Sequence, residues 1–485
     1  MTRAADLAPS DTREPRRLSG KLGTGAIVLM VVAAAAPLTI IGGVTPIGFL
    51  LGNGLGFPGL YVIAAAVLLL FAVGLSAMSR RVPRPGAFFT YIGYGLSRSW
   101  GLGAAFLAIL SYTGVQVAVF AFIGATLESS LTALGLPAVP WWVWSAIAVA
   151  IVAVLGYRRI ELSSRVLGIL LVAEVAIILV LDVAVIATGG AEGLSLEPFA
   201  PSAVFSGNLG VGLMFAVAGF VGFEATAVFR DEAKDPARTV PRATYLAVIV
   251  IGVFYALSSW ALAMAWGPSG IVDAAAADPA GLLFTTMVDY LGPVSGVIVQ
   301  VLLVTSLLAC VLSFHNVISR YLHTMGSAAL LPASLGRRHD RHGSPHRASL
   351  VQTALSGGLL AIFTLIGLDP VTEIFTWFSG TSTLGVLVLM VLTCLAVIIY
   401  FRRSKADTRP WQTVIAPVLA FLGLTAMTVV VILNFPMLVG GSNEVAIAIG
   451  AVLLVGFLAG LVIAQIARRR DPASYARLTE AISEE

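Results

Sequence analysis

The chain has 485 residues, of which 58% are hydrophobic and only 11% are charged, and its mean hydropathy is +0.96. A soluble domain of this size cannot cover so much apolar surface, so the composition excludes an ordinary soluble protein and indicates an integral membrane protein. The net charge of +4 does not indicate a nucleic-acid partner. The basic residues form short clusters beside apolar segments, where anionic lipid headgroups account for them.

The sequence predicts an all-α integral membrane protein with 12 transmembrane helices, because a bilayer core of roughly 30 Å takes about 20 apolar residues per helix. The first predicted span is too long for the apolar region of a cleavable signal peptide, so we expect it to be retained. In chain order the predicted spans are residues 24–50, 57–79, 102–127, 141–156, 166–188, 206–229, 244–266, 292–319, 349–367, 371–400, 412–434 and 445–467.

Lysine and arginine mark alternate loops of this pattern. All 29 of them lie outside the predicted spans, near the chain ends or in every second loop, whereas the other loops carry acids such as Glu192 and Asp273. The positive-inside rule then places both terminal tails, 1–20 and 468–485, in the cytoplasm and requires an even number of spans. We therefore expect a multi-pass protein of the cytoplasmic membrane.

The chain shows no pattern of a metal site, a cofactor site or an enzyme. Cys310 and Cys394 lie inside predicted spans, where they are expected to pack. The histidines of "RRHDRHGSPHR", residues 337–347, match no closed ligand spacing and indicate a solvated basic loop. Since the sequence has no nucleophile–base set and no glycine-rich phosphate loop, we expect neither a catalytic site nor ATP-driven transport.

Two of the predicted spans are interrupted. The first, "VVAAAAPLTIIGGVTPIGFL", contains Pro37, Gly42 and Gly43, and the sixth contains Gly219 and Gly222 at a similar depth. Backbone groups released from a helix are tolerated in a membrane only where they line a cavity or find other partners. Paired interruptions in two inverted halves predict a transport site near the midplane, although glycine and proline also occur in membrane helices without a function.

One stretch of the sixth span carries a family resemblance. The segment "GFVGFEATAVFRDEAKDPARTVPRAT", residues 219–244, resembles the sixth-span signature of the amino acid–polyamine–organocation permease superfamily. The matching positions are Gly222–Phe223–Glu224, Asp231 with Glu232, Asp235–Pro236 and Val240–Pro241–Arg242–Ala243. The segments "RRVPRPGAFFTYIGYGLSRSWG" and "NVISRYLHTMGSAALLP" are similar to the family's loop after span 2 and end of span 8, and the resemblance covers about residues 20–465.

The resemblance implies a LeuT-type 5+5 inverted repeat with discontinuous helices 1 and 6, plus helices 11 and 12. The repeats would be residues 21–188 and 203–401, and the two additional helices would lie within residues 411–467. In such proteins a small zwitterion or amine binds at the two breaks. A half-helix N-terminus offers N–H groups to a carboxylate, and a half-helix C-terminus offers carbonyls to an ammonium group.

Carried over residue by residue, the resemblance assigns most of the substrate site to the two interruptions. The span 1 stretch departs from the family's glycine-rich pattern, which puts in doubt which N–H groups meet a carboxylate and is consistent with a different substrate. Phe220 is the candidate aromatic gate, with ordinary packing as its alternative. The candidate substrate-binding residues are Pro37, Leu38, Thr39, Ile40, Gly42, Gly43, Tyr112, Ala218, Gly219, Phe220, Phe314 and Trp377.

Two acids lie unusually deep in the predicted spans. Glu224 precedes Arg230 by six residues, roughly 9 Å along a helix, and Glu174 follows Arg165 by nine, roughly 13 Å. A carboxylate at such depth is costly unless it is paired, protonated or on a water-filled path. Some proton-coupled members of the family carry a lysine at the position that resembles Glu174, so the charge is reversed here. We expect proton coupling or gating at both acids, with structural hydrogen bonds as the alternative.

Other polar residues in or near the spans complete the set of candidates. His315 in span 8 is either a proton carrier or a neutral hydrogen-bonded helix contact. Asp182 and Glu128 lie close to predicted outer span ends, where we expect them to reach headgroups.

The sequence therefore predicts a secondary transporter that imports an amino acid or a related amine by alternating access, with proton symport preferred. Exchange of one substrate for another is the alternative within this class, and sodium coupling ranks third. A substrate sensor without transport and a membrane-embedded enzyme are the alternatives of a different class. The expected partners are a small-molecule substrate, protons and the lipid bilayer. Substrate identity and oligomeric state stay open.

Overall fold

The computed structural model describes residues 23–82, 88–158, 164–224, 226, 233–327, 330–339, 344–470 and 475. The described part of the chain is helical and contains no β-strand. Residues 1–20, most of 468–485 and the motif positions Asp231 and Glu232 lie outside it.

Eleven of the helices in the described residues are long and apolar enough to cross a membrane, which confirms the predicted class. They match eleven of the predicted spans, whereas the predicted sixth span holds only a short helix. Numbered as predicted, the spans are Thr24–Leu51, Gly54–Ser79, Arg98–Ala133, Trp141–Arg158, Ser164–Thr188, Leu209–Ala218, Pro236–Trp266, Pro293–Ser327, His346–Leu365, Pro370–Ser404, Trp411–Leu438 and Asn443–Arg470. The sequence did not predict two further helices between spans 7 and 8, Ile271–Ala277 and Leu282–Leu291, which meet at 117°.

Two acidic residues near the span ends bind free backbone amides. The Asp369 carboxylate accepts from the amides of Val371 at 3.0 Å and Thr372 at 2.7 Å at the start of span 10. Glu128 accepts from the amide of Trp141 at 3.0 Å and so caps span 4. Because the first amides of a helix lack intrahelical partners, such caps define where a span begins.

Asp182 was expected at the headgroups, and this prediction was wrong. Its side chain is only 2% exposed, and the Ser258 hydroxyl of span 7 donates to its carboxylate at 2.7 Å. Ser258 satisfies part of the hydrogen-bonding capacity that a buried carboxylate must fill.

Spans 1 and 6 contact each other closely at the end of the bundle opposite the basic loops. A Cβ atom at Gly52 would lie only 2.9 Å from the Cα of Gly212. The side-chain amide of Asn53 donates to the Val204 carbonyl at 2.9 Å, and the backbone amide of Asn208 donates to the Gly52 carbonyl at 3.0 Å. Small residues let the two backbones approach, so the C-terminal end of span 1 and the N-terminal end of span 6 lie side by side.

Span 12 packs on span 3 through glycines, which gives a stability prediction. A Cβ atom at Gly460 would lie 2.7 Å from the Cα of Gly103, whereas a Cβ at Gly450 in the same span would meet nothing within 4 Å. We expect Gly460→Ala to destabilise the protein by about 1–3 kcal/mol through overpacking. Gly450→Ala, the matched control, gains helix propensity and should leave stability unchanged or slightly raised.

The measurement is thermal unfolding of both purified variants in the same detergent. Equal melting temperatures for Gly460→Ala and Gly450→Ala would contradict the close approach of spans 3 and 12.

Candidate substrate site at two helix breaks

Span 1 breaks at Ala35 and Ala36, just ahead of the predicted stretch. The helix Thr24–Ala34 stops, Ala36 adopts the left-handed backbone conformation at φ 47°, and the helix starts again at Pro37. A positive φ is uncommon for a residue with a side chain and costs about 1–3 kcal/mol, so the surrounding structure must hold it. Pro37 favours an interruption of the helix here because proline disfavours the right-handed helical region for the residue before it.

Gly42 and Gly43 lie beyond the break rather than in it. The segment Ile40–Val44 is a buried π-helical turn. A Cβ atom at Gly43 would lie 2.8 Å from the Phe122 ring, and one at Gly42 would lie 3.1 Å from Leu283. The two glycines therefore permit close packing, and the released backbone groups belong to the residues around Ala36.

Span 6 unwinds after Ala218, where the sequence predicts it. The helix Leu209–Ala218 ends, and the chain continues in turns with Gly222 at φ 109°. The amides of Phe220 and Val221 donate three residues back, to the carbonyls of Val217 and Ala218, at 2.9 and 3.1 Å. Because such turns do not continue a helix, backbone groups are again released inside the bundle.

Tyr255 of span 7 joins the two breaks. Its hydroxyl donates to the Ala35 carbonyl at 3.1 Å, and its ring lies 3.0 Å from where a Cβ atom of Gly219 would be. The ring also contacts the rings of Tyr61 and Phe220, with centroids 5.3 and 6.2 Å away. Tyr255 is fully buried, so one side chain holds a released carbonyl of span 1 against the unwound part of span 6.

Glu174 of span 5 reaches the other side of the span 1 break. The Ser306 hydroxyl of span 8 donates to its carboxylate at 3.0 Å, and the backbone amide of Leu38 also interacts with it. The side chain is only 5% exposed. We call Ala35, Ala36, Leu38, Gly219, Tyr255, Glu174 and Ser306 the break cluster.

Glu224 forms a second cluster with aromatic residues. Its carboxylate accepts from the Gly222 amide at 2.9 Å, and the Tyr112 hydroxyl also interacts with it. The Tyr112 ring lies 5.5 Å from the Phe314 ring and 6.3 Å from the Tyr321 ring, which is parallel to it. The structure thus brings three predicted candidates together, Glu224, Tyr112 and Phe314.

His315 belongs to a third group that links spans 3, 8 and 9. The Gln116 amide donates to its Nδ1 at 3.2 Å, so the neutral ring can donate from Nε2 to the Ser349 hydroxyl at 2.8 Å. The Gln352 amide donates to the Gln116 carbonyl at 2.7 Å. Both ring nitrogens have a partner in the neutral form, so this histidine network fits a structural helix contact better than a proton carrier.

The remaining candidates have different surroundings. Phe220 is fully buried against span 7, where its ring lies 3.6 Å from the position of a Cβ atom at Gly252. Trp377 is half-buried in span 10, and no recorded contact between described residues joins it to either break. Pro37, Thr39 and Ile40 are buried in the helix that starts again after Ala36.

Two contributors were missed or underrated by sequence reasoning. Tyr255 lies in an apolar span without a motif, and Ser306 of span 8 is not among the candidates that the sequence analysis names. The available signal was a hydroxyl group in an otherwise apolar helix, since such groups bond across helices in membranes.

A cavity of about 530 Å³ lies elsewhere, between spans 3, 10, 11 and 12. Trp100, Leu384, Phe435 and Phe457 are among its mostly apolar lining residues, and none of the predicted site residues lines it.

Comparison with known proteins identifies the family. A profile of the family described as amino acid permease matches residues 28–472. An uncharacterized transporter of Mycobacterium tuberculosis strain H37Rv is 27% identical over 388 residues, which cover 78% of this chain and 80% of the relative.

Two further relatives are named after the substrates that they carry, and their sequence identity to this chain is similarly low. The low-affinity putrescine importer of Escherichia coli K12 is 23% identical, with 83% of this chain and 86% of the relative covered. The branched-chain amino acid permease of Bacillus subtilis strain 168 is 26% identical, with 86% and 89% covered. The family and these relatives are transporters rather than enzymes. Since the profile covers nearly the whole chain, this multi-pass membrane protein belongs to the amino acid permease family.

Proposed function

We propose that the protein is a secondary active transporter that imports an amino acid or a related amine across the cytoplasmic membrane by alternating access, coupled to protons. The break cluster carries this proposal, because Tyr255 and Glu174 hold released backbone groups of span 1 beside the unwound part of span 6. Discontinuous helices at matching depth form the substrate sites of many secondary transporters. The putrescine and branched-chain amino acid specificities of two relatives support the substrate range.

The proposed fold is the LeuT-type arrangement, with repeats at residues 21–188 and 203–401 and two further helices within 411–467. The breaks in the first span of each proposed repeat support this arrangement. The two termini lie in the cytoplasm in this proposal, since every second loop carries the basic residues.

Glu174 is the proposed coupling residue. Its carboxylate touches the break and the Ser306 hydroxyl, so adding or removing its proton changes the contacts between spans 1, 5 and 8. Glu224 is the proposed gate on the side of the basic loops, since it links the unwound part of span 6 to Tyr112 of span 3. Exchange of one substrate for another is the alternative mode.

Uptake into proteoliposomes, with and without an imposed proton gradient, tests the proposal. Accumulation that depends on the gradient supports proton symport, and exchange that ignores the gradient supports the alternative mode. Binding without any uptake or exchange would contradict transport and favour a sensor.

Glu174→Gln should abolish gradient-driven accumulation while exchange continues at saturating substrate, because the amide keeps the hydrogen bond to Ser306 but carries no proton to release. Asp182→Asn is the matched control. It changes a second buried acid of span 5 that also accepts from a serine, and no contact with the break is recorded for Asp182 in the described chain. The measurement is initial uptake over a range of external pH, and a pH profile of Glu174→Gln equal to that of the wild type would refute coupling at this residue.

Gly219→Leu should abolish substrate binding, because the new side chain would have to displace the Tyr255 ring, which lies 3.0 Å from the position of the Cβ atom. Gly358→Leu is the control, since a Cβ at Gly358 meets nothing within 4 Å. Binding is followed by ligand-induced thermal stabilisation of each purified variant. Wild-type affinity in Gly219→Leu would show that this part of span 6 does not line the site.

A further inference from the structure

Among the residues that the structure describes, the buried side chains include three carboxyl groups but no lysine or arginine. The predicted spans contain no lysine or arginine, whereas Glu174, Asp182 and Glu224 are all buried. A buried carboxylate is costly unless it binds a proton or a positive charge, so a cationic substrate is one partner that would lower this cost.

The N–H end of the span 1 break is already engaged by the protein's own carboxylate. Pro37 begins the second helical part of span 1 and has no N–H group, so Leu38 and Thr39 carry its first free amides. The Leu38 amide interacts with Glu174. A substrate carboxylate would have to compete with Glu174 for the Leu38 amide and would meet the like charge of an ionised Glu174.

The span 6 break repeats this arrangement. The Gly222 amide donates to the Glu224 carboxylate at 2.9 Å, so a released N–H group is again bonded to an acid of the same chain. Both breaks therefore present carboxylates where a zwitterion would need free donors.

The span 1 break also holds acceptors that suit an ammonium group. The last carbonyls of Thr24–Ala34 face the break because a helix leaves its final C=O groups without intrahelical partners. Thr39 is only 4% exposed, and its buried hydroxyl has no hydrogen-bond partner among the described residues. Such an unpaired buried group is costly by itself and points to a polar ligand beside Leu38.

We infer that the substrate is an organic amine that carries an ammonium group and no carboxylate, and that Glu174 is its counter-ion. This inference rests on the proposed transport function and narrows its substrate class. The ammonium group donates to the Glu174 carboxylate and to the carbonyls of the break, and only a carboxylate-free ligand avoids repulsion by Glu174 and Glu224.

The test compares amines with the amino acids from which they differ only by the carboxylate. Purified wild-type protein is titrated with cadaverine against lysine and with isoamylamine against leucine, by thermal stabilisation and by competition for exchange in proteoliposomes. We expect each amine to act at a concentration at least about tenfold lower than its amino acid. An amino acid that binds as well as its amine overturns the inference.

A pair of variants tests whether Glu174 causes the preference for amines over amino acids. Glu174→Gln should reduce the ratio of amine to amino acid affinity at least about tenfold, because the site loses its negative charge. Asp182→Asn should keep the wild-type ratio, and an unchanged ratio in Glu174→Gln overturns the counter-ion role.

The outcomes also separate this inference from the proposed function. Transport of amino acids with rejection of amines overturns the inference and leaves the transporter standing. Failure to transport either class overturns both.

Discussion

Backbone groups released inside an apolar bundle must find partners, and the break of span 1 shows how this chain supplies them. The Ala35 carbonyl receives the Tyr255 hydroxyl, and the Leu38 amide interacts with the Glu174 carboxylate. Neither partner belongs to span 1. The strained backbone at Ala36 therefore depends on spans 5 and 7, and a movement of either span changes the partners available at the break.

The buried polar groups differ in how fully they are satisfied, and this difference separates structure from function. Gln116 and Ser349 occupy both nitrogens of His315, which leaves the neutral imidazole ring nothing further to bind. The span 1 break instead combines a carboxylate with the Thr39 hydroxyl, which has no hydrogen-bond partner in the described part of the chain. A satisfied network stiffens a core, whereas an unsatisfied one is costly until a ligand completes it.

Substrate class and coupling mode depend on the same carboxylate. A proton and an ammonium group are alternative partners for Glu174, so protonation of this carboxylate and binding of a cationic substrate are linked. The substrate cannot be transferred from relatives of 23% and 26% identity that bear different substrates in their names.

Hydropathy and composition by themselves determined the helical membrane class and eleven spans, because twenty apolar residues in a row have few other stable environments. Proline and glycine spacing, together with the sixth-span motif, also predicted interruptions in spans 1 and 6. Only the tertiary structure decided that the first lies at Ala36 rather than at Gly42 and Gly43, that Tyr255 joins the breaks, and that Asp182 is buried on Ser258. The reason is that a span that is apolar on every face carries no sequence signal for which face turns toward the bundle interior. Helix packing alone therefore selects which polar groups meet.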